Sequence, residues 1–251
     1  MRLLTWNILH GGGPRRVPET VLTLLEHDAD VIALSEYRAS MGGQIRAVLA
    51  QHGWNHQLCT NPPARTNGLL LASRAPIERI TTPPPPSPQR FLAAKTAGLN
   101  VLVVHIPEER RSTRKPAAWR HLLGEARALR NADAVVIGDY NTGRHRLDEA
   151  GSTFTCTALL GELATMGFID AWRSLNPVAQ EFTWFSHKGG GFRIDHAYLS
   201  PSLAKKLVDA RYSHVEREAR LSDHSVLMVE LSGEAPRAPT SGGSGLWSLD
   251  L

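Results

Sequence analysis

Two periodicities alternate along the chain. Short apolar runs at 2–6, 31–35, 68–72, 99–105, 133–138, 193–199 and 225–231 read as buried or half-buried strands. Between them, helical spacing of apolar positions predicts amphipathic helices at about 18–27, 42–52, 113–130, 157–166 and 201–206. Ser112 or Thr113 is placed to cap the third helix, and Pro116 is tolerated in its first turn. The Pro83–Pro86 run forbids regular strand or helix, so residues 81–90 should form a stiff surface loop. No short repeat period appears. Strands mixed with helices, with polar residues collected at strand ends, suit a two-sheet sandwich covered by helices.

The pattern stops near Leu231. Residues 1–232 form one domain, and residues 233–251 turn to Gly, Pro, Ala and Ser before closing on Leu246-Trp-Ser-Leu-Asp-Leu251. Such a segment buries too little surface to fold alone and reads as a flexible tail with a short apolar end. That end either docks on its own domain or acts as a tethered motif for a partner.

A chain of 251 residues is long enough for one large domain with a well-buried core. The formal charge of +4 mildly favours an anionic partner. One basic cluster, Arg110-Arg111 with Arg114-Lys115, follows the strand ending at His105. It reads either as a solvated helix entrance or as phosphate contacts beside a site. No run is long enough to span a membrane, and the N-terminal apolar stretch already carries Asn7, a candidate site residue, so a removable signal is not expected. A cytoplasmic location is the expectation. Cys59 and Cys156 lack metal-type spacing and read as free thiols.

The candidate chemistry sits at the ends of the apolar runs. Val135-Val-Ile-Gly-Asp-Tyr-Asn141 delivers an aspartate and an asparagine two apart, which on a strand share one edge. Other runs end in Asn7, Glu36 and His105, and Arg193-Ile-Asp195 and Ser222-Asp-His224 add two carboxylates and an imidazole. Singly, each is more often a turn former or cap. Together they suit attack of water on a phosphodiester, which needs a base, charge neutralisation and a stabilised leaving oxygen. Hard oxygen donors suit Mg²⁺, with Mn²⁺ as the alternative: Glu36 is the principal candidate ligand, with Asn7 and Asp223 in a direct or water-mediated shell. Asp139 is the candidate base or proton shuttle, oriented by Asn141. Asp195 and His224 read as a carboxylate orienting an imidazole that donates to a phosphate oxygen.

The order Asn, Glu, His, Asp-x-Asn, Asp, Asp-His over residues 7 to 224 resembles the endonuclease/exonuclease/phosphatase superfamily, and especially its exonuclease III-like nucleases. The resemblance covers residues 2 to about 231. It implies a DNase I-like α/β fold, a four-layer sandwich of two mixed β-sheets flanked by helices. His105 stands where exonuclease III-type enzymes carry a tyrosine, and resembles the pancreatic-type deoxyribonuclease branch, where histidine acts on the leaving group. Leu9 replaces an acidic residue found in some abasic endonucleases, which makes a second metal position poorer. Phe182-Thr-Trp…Phe192-Arg-Ile-Asp195 resembles the exonuclease III segment whose aromatics line a pocket for a base-free sugar, with Trp184, Phe192 and Ile194 as the matching wall. The Lys188-Gly-Gly-Gly191 link is shorter than the family's usual arm, which puts abasic-site specificity in doubt. The resemblance implies a metal-dependent phosphodiesterase acting on nucleic acid, most simply a DNA nuclease of repair type. Two rivals are a same-fold enzyme for a small phosphoester, such as a lipid headgroup or a nucleotide, and a non-catalytic module recruiting a partner through its tail; for that tail the resemblance to nucleases implies a replication or repair protein with an apolar groove.

Overall fold

Unbroken apolar runs such as Leu69-Leu70-Leu71 need cover on both faces of a sheet. The computed structural model, which describes residues 1–40, 42–108 and 113–233, supplies it. In chain order the first half contains β1 (Arg2–Asn7), α1 (Gly13–His27), β2 (Val31–Tyr37), α2 (Gly43–Gln51), β3 (His56–Cys59), β4 (Gly68–Ser73), β5 (Ile77–Arg79), β6 (Phe91–Thr96) and β7 (Leu99–His105). The second half contains α3 (Arg114–Leu129), β8 (Ala134–Asp139), α4 (Thr157–Thr165), β9 (Ile169–Asp170), α5 (Ala171–Leu175), β10 (Trp184–Phe185), β11 (Gly191–Phe192), β12 (Asp195–Leu199), α6 (Pro201–Ala204), β13 (Leu207–Ser213), α7 (Val215–Glu218) and β14 (Val226–Leu231).

Two six-stranded sheets result, ordered β13-β14-β1-β2-β4-β3 and β5-β6-β7-β8-β12-β9, beside a β10-β11 hairpin. Among the described residues only β1–β2 and β7–β8 pair in parallel; the other pairs are antiparallel, so both sheets are mixed. Alternate residues divide the apolar side chains. Leu3, Val31, Leu69 and Leu71 meet Leu92, Val101, Val103 and Ile137 between the sheets. Leu4, Trp6, Ile32 and Leu70 face outward onto Val21, Leu24 and Leu49 of α1 and α2. Leu102, Val104 and Val136 pack on Trp119, Leu122 and Leu163 of α3 and α4. The result is the expected four-layer sandwich, helices outside and two sheets within.

The long helices and central strands match the sequence pattern, with three local corrections. α1 begins at Gly13 rather than near residue 18, because Pro14 fits a first helical turn. Thr113 is the N-cap of α3 but makes no capping hydrogen bond, since its backbone is already helical. Within the proline-rich loop, Pro88–Arg90 forms one 3-10 turn. Both cysteines are free. Among the described residues no helix is long and apolar enough to cross a membrane. The tail from residue 234, and with it the apolar ending, lies outside the described residues, as do Arg110 and Arg111.

Candidate active site

The two parallel pairs carry the site. Parallel strands end on the same side, so β1, β2, β7 and β8 deliver Asn7, Glu36, His105 and Asp139 to one edge, with His105 paired in register with Asp139. Asp195 opens β12 opposite Asp139, and His224 bridges to Trp184 just before β14. Gly138 is required by this packing: its φ is +141°, and a Cβ there would overlap the Val104 carbonyl oxygen.

Two features depart from simple strand alternation. Glu36 sits in a bulge of β2 between Ser35 and Tyr37, with φ +57°, which turns its carboxylate toward the cleft. Asn141 lies beyond β8 with φ +45°, and joins Asp139 through a turn, not a shared strand face: its backbone N–H donates to Asp139 Oδ1 at 2.8 Å. The Asn141 amide donates to the Ile106 carbonyl at 2.9 Å, which pins β8 to the end of β7.

At the floor, Asn7 Nδ2 donates to Asp139 Oδ2 at 3.0 Å and lies 3.5 Å from His224 Nε2. His224 Nδ1 contacts Asp195 Oδ2 at 2.9 Å. Burial works to lower the basicity of the His224 imidazole, but the Asp195 carboxylate outweighs it and holds the pKa at about 10. A protonated His224 then presents Nε2–H beside the second hydrogen of the Asn7 amide. Two donors 3.5 Å apart can together hold an anionic oxygen. Burial pushes the Asp139 carboxyl up to about 7, against the pull of the His224 cation, so it can take or release a proton near neutrality. His105 Nε2 is 3.7 Å from Asp139 Oδ2 and 4.0 Å from Glu36 Oε1, and burial drives its basicity well down, leaving a neutral imidazole.

Asp139, Asp195 and His224 offer ligand atoms within 4.8 Å of one another. Yet Asp195 and His224 already satisfy each other, and a protonated imidazole has no lone pair to give a cation. The trio is suited to proton movement. A divalent cation is better served by Glu36, whose side chain keeps 14% exposure, and by the remaining lone pair of Asn7 Oδ1, which accepts from Leu9 N–H at 3.1 Å. Asp223 is exposed on the rim, where its Oδ2 accepts from the Trp184 indole at 2.9 Å.

These groups line a cleft of about 340 Å³ that contains Asn7, Glu36, His105, Asp139, Asn141 and His224. A second hollow of about 160 Å³ opens beside it, walled by Trp184, Phe192, Ile194 and Phe154 with Lys115 at its edge. The Trp184 and Phe192 rings lie 5.8 Å apart across the hairpin. The structure thus gathers these polar and aromatic positions, together with Ile194, around one cleft, with Asp195 behind His224.

The Endonuclease/Exonuclease/phosphatase family matches the sequence over residues 4–224. The chain belongs to that family. Among relatives of this family member, a Bacillus subtilis exodeoxyribonuclease is 23% identical over 239 residues, spanning 85% of this chain and 93% of that one. Haemophilus influenzae exodeoxyribonuclease III is 31% identical over 105 residues, 38% of this chain and 39% of that one. Two solved structures share the fold at TM-score 0.80: a Neisseria 3′ phosphatase bound to a product DNA hairpin, at 24% identity, and an Archaeoglobus fulgidus AP endonuclease, at 21%. Each covers 93% of this chain and 100% of its own.

Sequence reasoning missed several residues that this family member uses to build the site. Arg193 is fully buried, donating to Asp148 at 2.7 Å and to Asp170 at 2.7 Å, and so fixes the segment that presents Asp195. The Tyr212 hydroxyl donates to the Asp195 carbonyl at 2.7 Å. Lys115, read as part of a basic cluster, is buried and donates to the Asn141 carbonyl at 2.5 Å. His10 touches Glu36, and Arg90 donates to the His105 carbonyl at 3.2 Å. A buried arginine between two aspartates far away in sequence leaves no local signal.

Proposed function

We propose that this family member is a divalent-metal-dependent phosphodiesterase that cleaves DNA, with exonuclease or endonuclease activity of repair type. The observation that carries this reading is the juxtaposition of a buried carboxyl poised near neutrality, Asp139, with the paired donors Asn7 Nδ2 and His224 Nε2. Asp139 accepts the proton of the attacking water, while the donors hold the phosphoryl oxygen as its charge grows. Asp195 keeps His224 protonated and turned toward the cleft. The neutral His105, its Nε2 3.7 Å from Asp139 Oδ2, can take the proton that Asp139 accepts from water and pass it to the departing oxygen, so that both groups return to their starting states.

The donor set fits a hard divalent cation: Glu36, Asn7 Oδ1 and Asp223 supply oxygens at one cleft. When bound, Mg²⁺ or Mn²⁺ would neutralise phosphoryl charge and lower the pKa of a coordinated water. DNA as substrate draws support from the exodeoxyribonuclease relatives and from the positive net charge. The aromatic hollow beside the cleft suits a sugar without its base, or the terminal nucleotide.

A second reading, hydrolysis of a small phosphoester or a terminal phosphate, is favoured by the short hairpin arm, Trp184–Phe185 with Gly191–Phe192, which offers little grip on a duplex. A panel of end-labelled single-stranded, duplex, abasic and 3′-phosphorylated DNA against small phosphodiesters separates the two. Cleavage within the DNA strand supports the nuclease; release of inorganic phosphate alone, or turnover of small esters alone, replaces it.

A further inference from the structure

Trp184 and Phe185 are neighbours on β10, so their side chains leave opposite faces of the hairpin. Trp184 walls the aromatic hollow beside the cleft, and Phe185 walls another of about 310 Å³, together with Leu9, Arg217, Arg220, Ser222 and Asp223. This second hollow shares Leu9 and Asp223 with the catalytic cleft, so the two are continuous. The hydrolytic step uses none of Phe185, Arg217 and Arg220.

Contacts between distant segments set its walls. Leu9 and His10 turn through the left-handed region, at φ 48° and 58°. Arg16 donates to the carbonyls of Leu9 at 3.1 Å and Leu221 at 3.0 Å, which ties that turn to the segment before His224. α7 ends in a Schellman motif: Arg220 N–H donates to the Arg217 carbonyl at 3.0 Å, and Leu221 N–H to the Glu216 carbonyl at 2.9 Å. Glycine is the usual residue at the left-handed position of that motif, but here it is Arg220, at φ 60°. The Arg220 side chain is exposed and makes no hydrogen bond or ion pair among the described residues. Arg217 is held in place: its Nε donates to the buried Ser225 Oγ at 3.1 Å, and its guanidinium lies 4.6 Å over the Phe185 ring. Neither guanidinium has a carboxylate partner among the described residues. Asp223 is the one acid in the lining, and the Trp184 indole takes its Oδ2 at the boundary with the cleft. Phe185 stays 41% exposed.

Guanidinium groups beside an open aromatic ring suit a nucleotide, since arginine forks bind phosphate and the ring stacks on a base. Inside a duplex both faces of a base are covered by its neighbours, so only an unpaired or frayed base offers the ring a face. We propose that this hollow holds an unpaired nucleotide of the DNA strand next to the scissile phosphate, its phosphate on Arg217 and Arg220 and its base on Phe185, and that it directs the enzyme to single-stranded or frayed ends. The inference rests on the nuclease reading and names the form of DNA that the site takes.

The test is fluorescence anisotropy of a labelled single strand and of the matching blunt duplex, each titrated in EDTA with the full chain over a range of salt, for the natural protein, Arg220→Gln and Phe185→Leu. Cleavage of the same DNA is then followed with Mg²⁺. Arg220→Gln is expected to lower the slope of log affinity against log salt by about 0.7 on the single strand, the loss of one phosphate contact. Phe185→Leu is expected to weaken the single strand about tenfold and the duplex less than about twofold, with the slope unchanged. Circular dichroism checks that both substitutions leave the fold intact. Unchanged affinity and slope in both variants, with DNA still cleaved, would overturn the hollow as a binding site and leave the nuclease standing. Equal losses on single strand and duplex would overturn it too. A natural protein that binds, with the expected losses in the variants, but cleaves no DNA would keep the site and remove the nuclease reading; one that neither binds nor cleaves DNA would remove both.

Discussion

Replacing Asp139 by asparagine separates catalysis from stability in one substitution. The side chain is 1% exposed and accepts from Asn7 Nδ2 at 3.0 Å and from the Asn141 N–H at 2.8 Å. Asparagine keeps the shape and one acceptor oxygen but cannot take a proton. Loss of a positioned base costs about 10²–10⁴ in rate, or roughly 3–5 kcal/mol at 1.36 kcal/mol per decade. Stability should move the other way. Because burial raises the Asp139 carboxyl to about 7, ionising it above that pH works against the folded state by a few kcal/mol. The substitution removes that cost and loses about 1 kcal/mol of hydrogen bonding to Asn7. Single-turnover cleavage of labelled DNA should therefore fall at least about 100-fold. Denaturant unfolding in a chelator at pH 8 should show the variant as stable as the natural protein or more so. The natural enzyme should also lose activity as pH falls through the Asp139 value, a limb that a bound cation shifts below 7 and that the variant lacks. Turnover within tenfold of natural, or a clear loss of stability at pH 8, would refute Asp139 as the proton acceptor.

Asp195→Asn removes the anion that holds His224 at about 10, so the residual activity should decline with rising pH across 6 to 8, where the natural His224 stays protonated; a parallel profile would show that Asp195 does not set that charge. Trp184→Ala should lower cleavage at an abasic site about tenfold more than removal of a normal terminal nucleotide, from the loss of aromatic contact. Equal losses on both substrates would make the residue packing alone. Arg193→Met leaves Asp148 to Arg173 and Asp170 to His196 without the guanidinium that holds both carboxyls below the usual range despite burial, and should cost about 3 kcal/mol at pH 7. In the natural protein that stabilisation is present above the unfolded carboxyl range and lost as pH falls through the lowered folded values, so the two proteins should converge in acid; a pH-independent difference would contradict the ion-pair account.

How much of this was legible in the sequence follows from what each element packs against. β1, β2, β4, β7, β8 and β14 lie between a helix layer and the facing sheet, so both faces are apolar and the runs stand out. β13, Leu-Val-Asp-Ala-Arg-Tyr-Ser, is an edge strand in which only Ala210 is buried, and it carries no such run. The short β10–β11 hairpin, α5 and α7 are set by tertiary contact more than by propensity. At the site, strand-end placement revealed Asn7, Glu36, His105 and Asp139. The bulge that turns Glu36, the left-handed Asn141 and the His10 turn depend on contacts between segments far apart in the chain, and single-sequence patterning does not encode them.

The central claim, metal-dependent cleavage of DNA by the cleft around Asp139, is tested most directly with end-labelled DNA incubated with the natural protein and with Glu36→Gln, each with and without EDTA. The account predicts strand cleavage by the natural protein that EDTA abolishes and Mg²⁺ or Mn²⁺ restores, and at least about 100-fold less by Glu36→Gln. Cleavage that persists in EDTA, or undiminished cleavage by the variant, would contradict it.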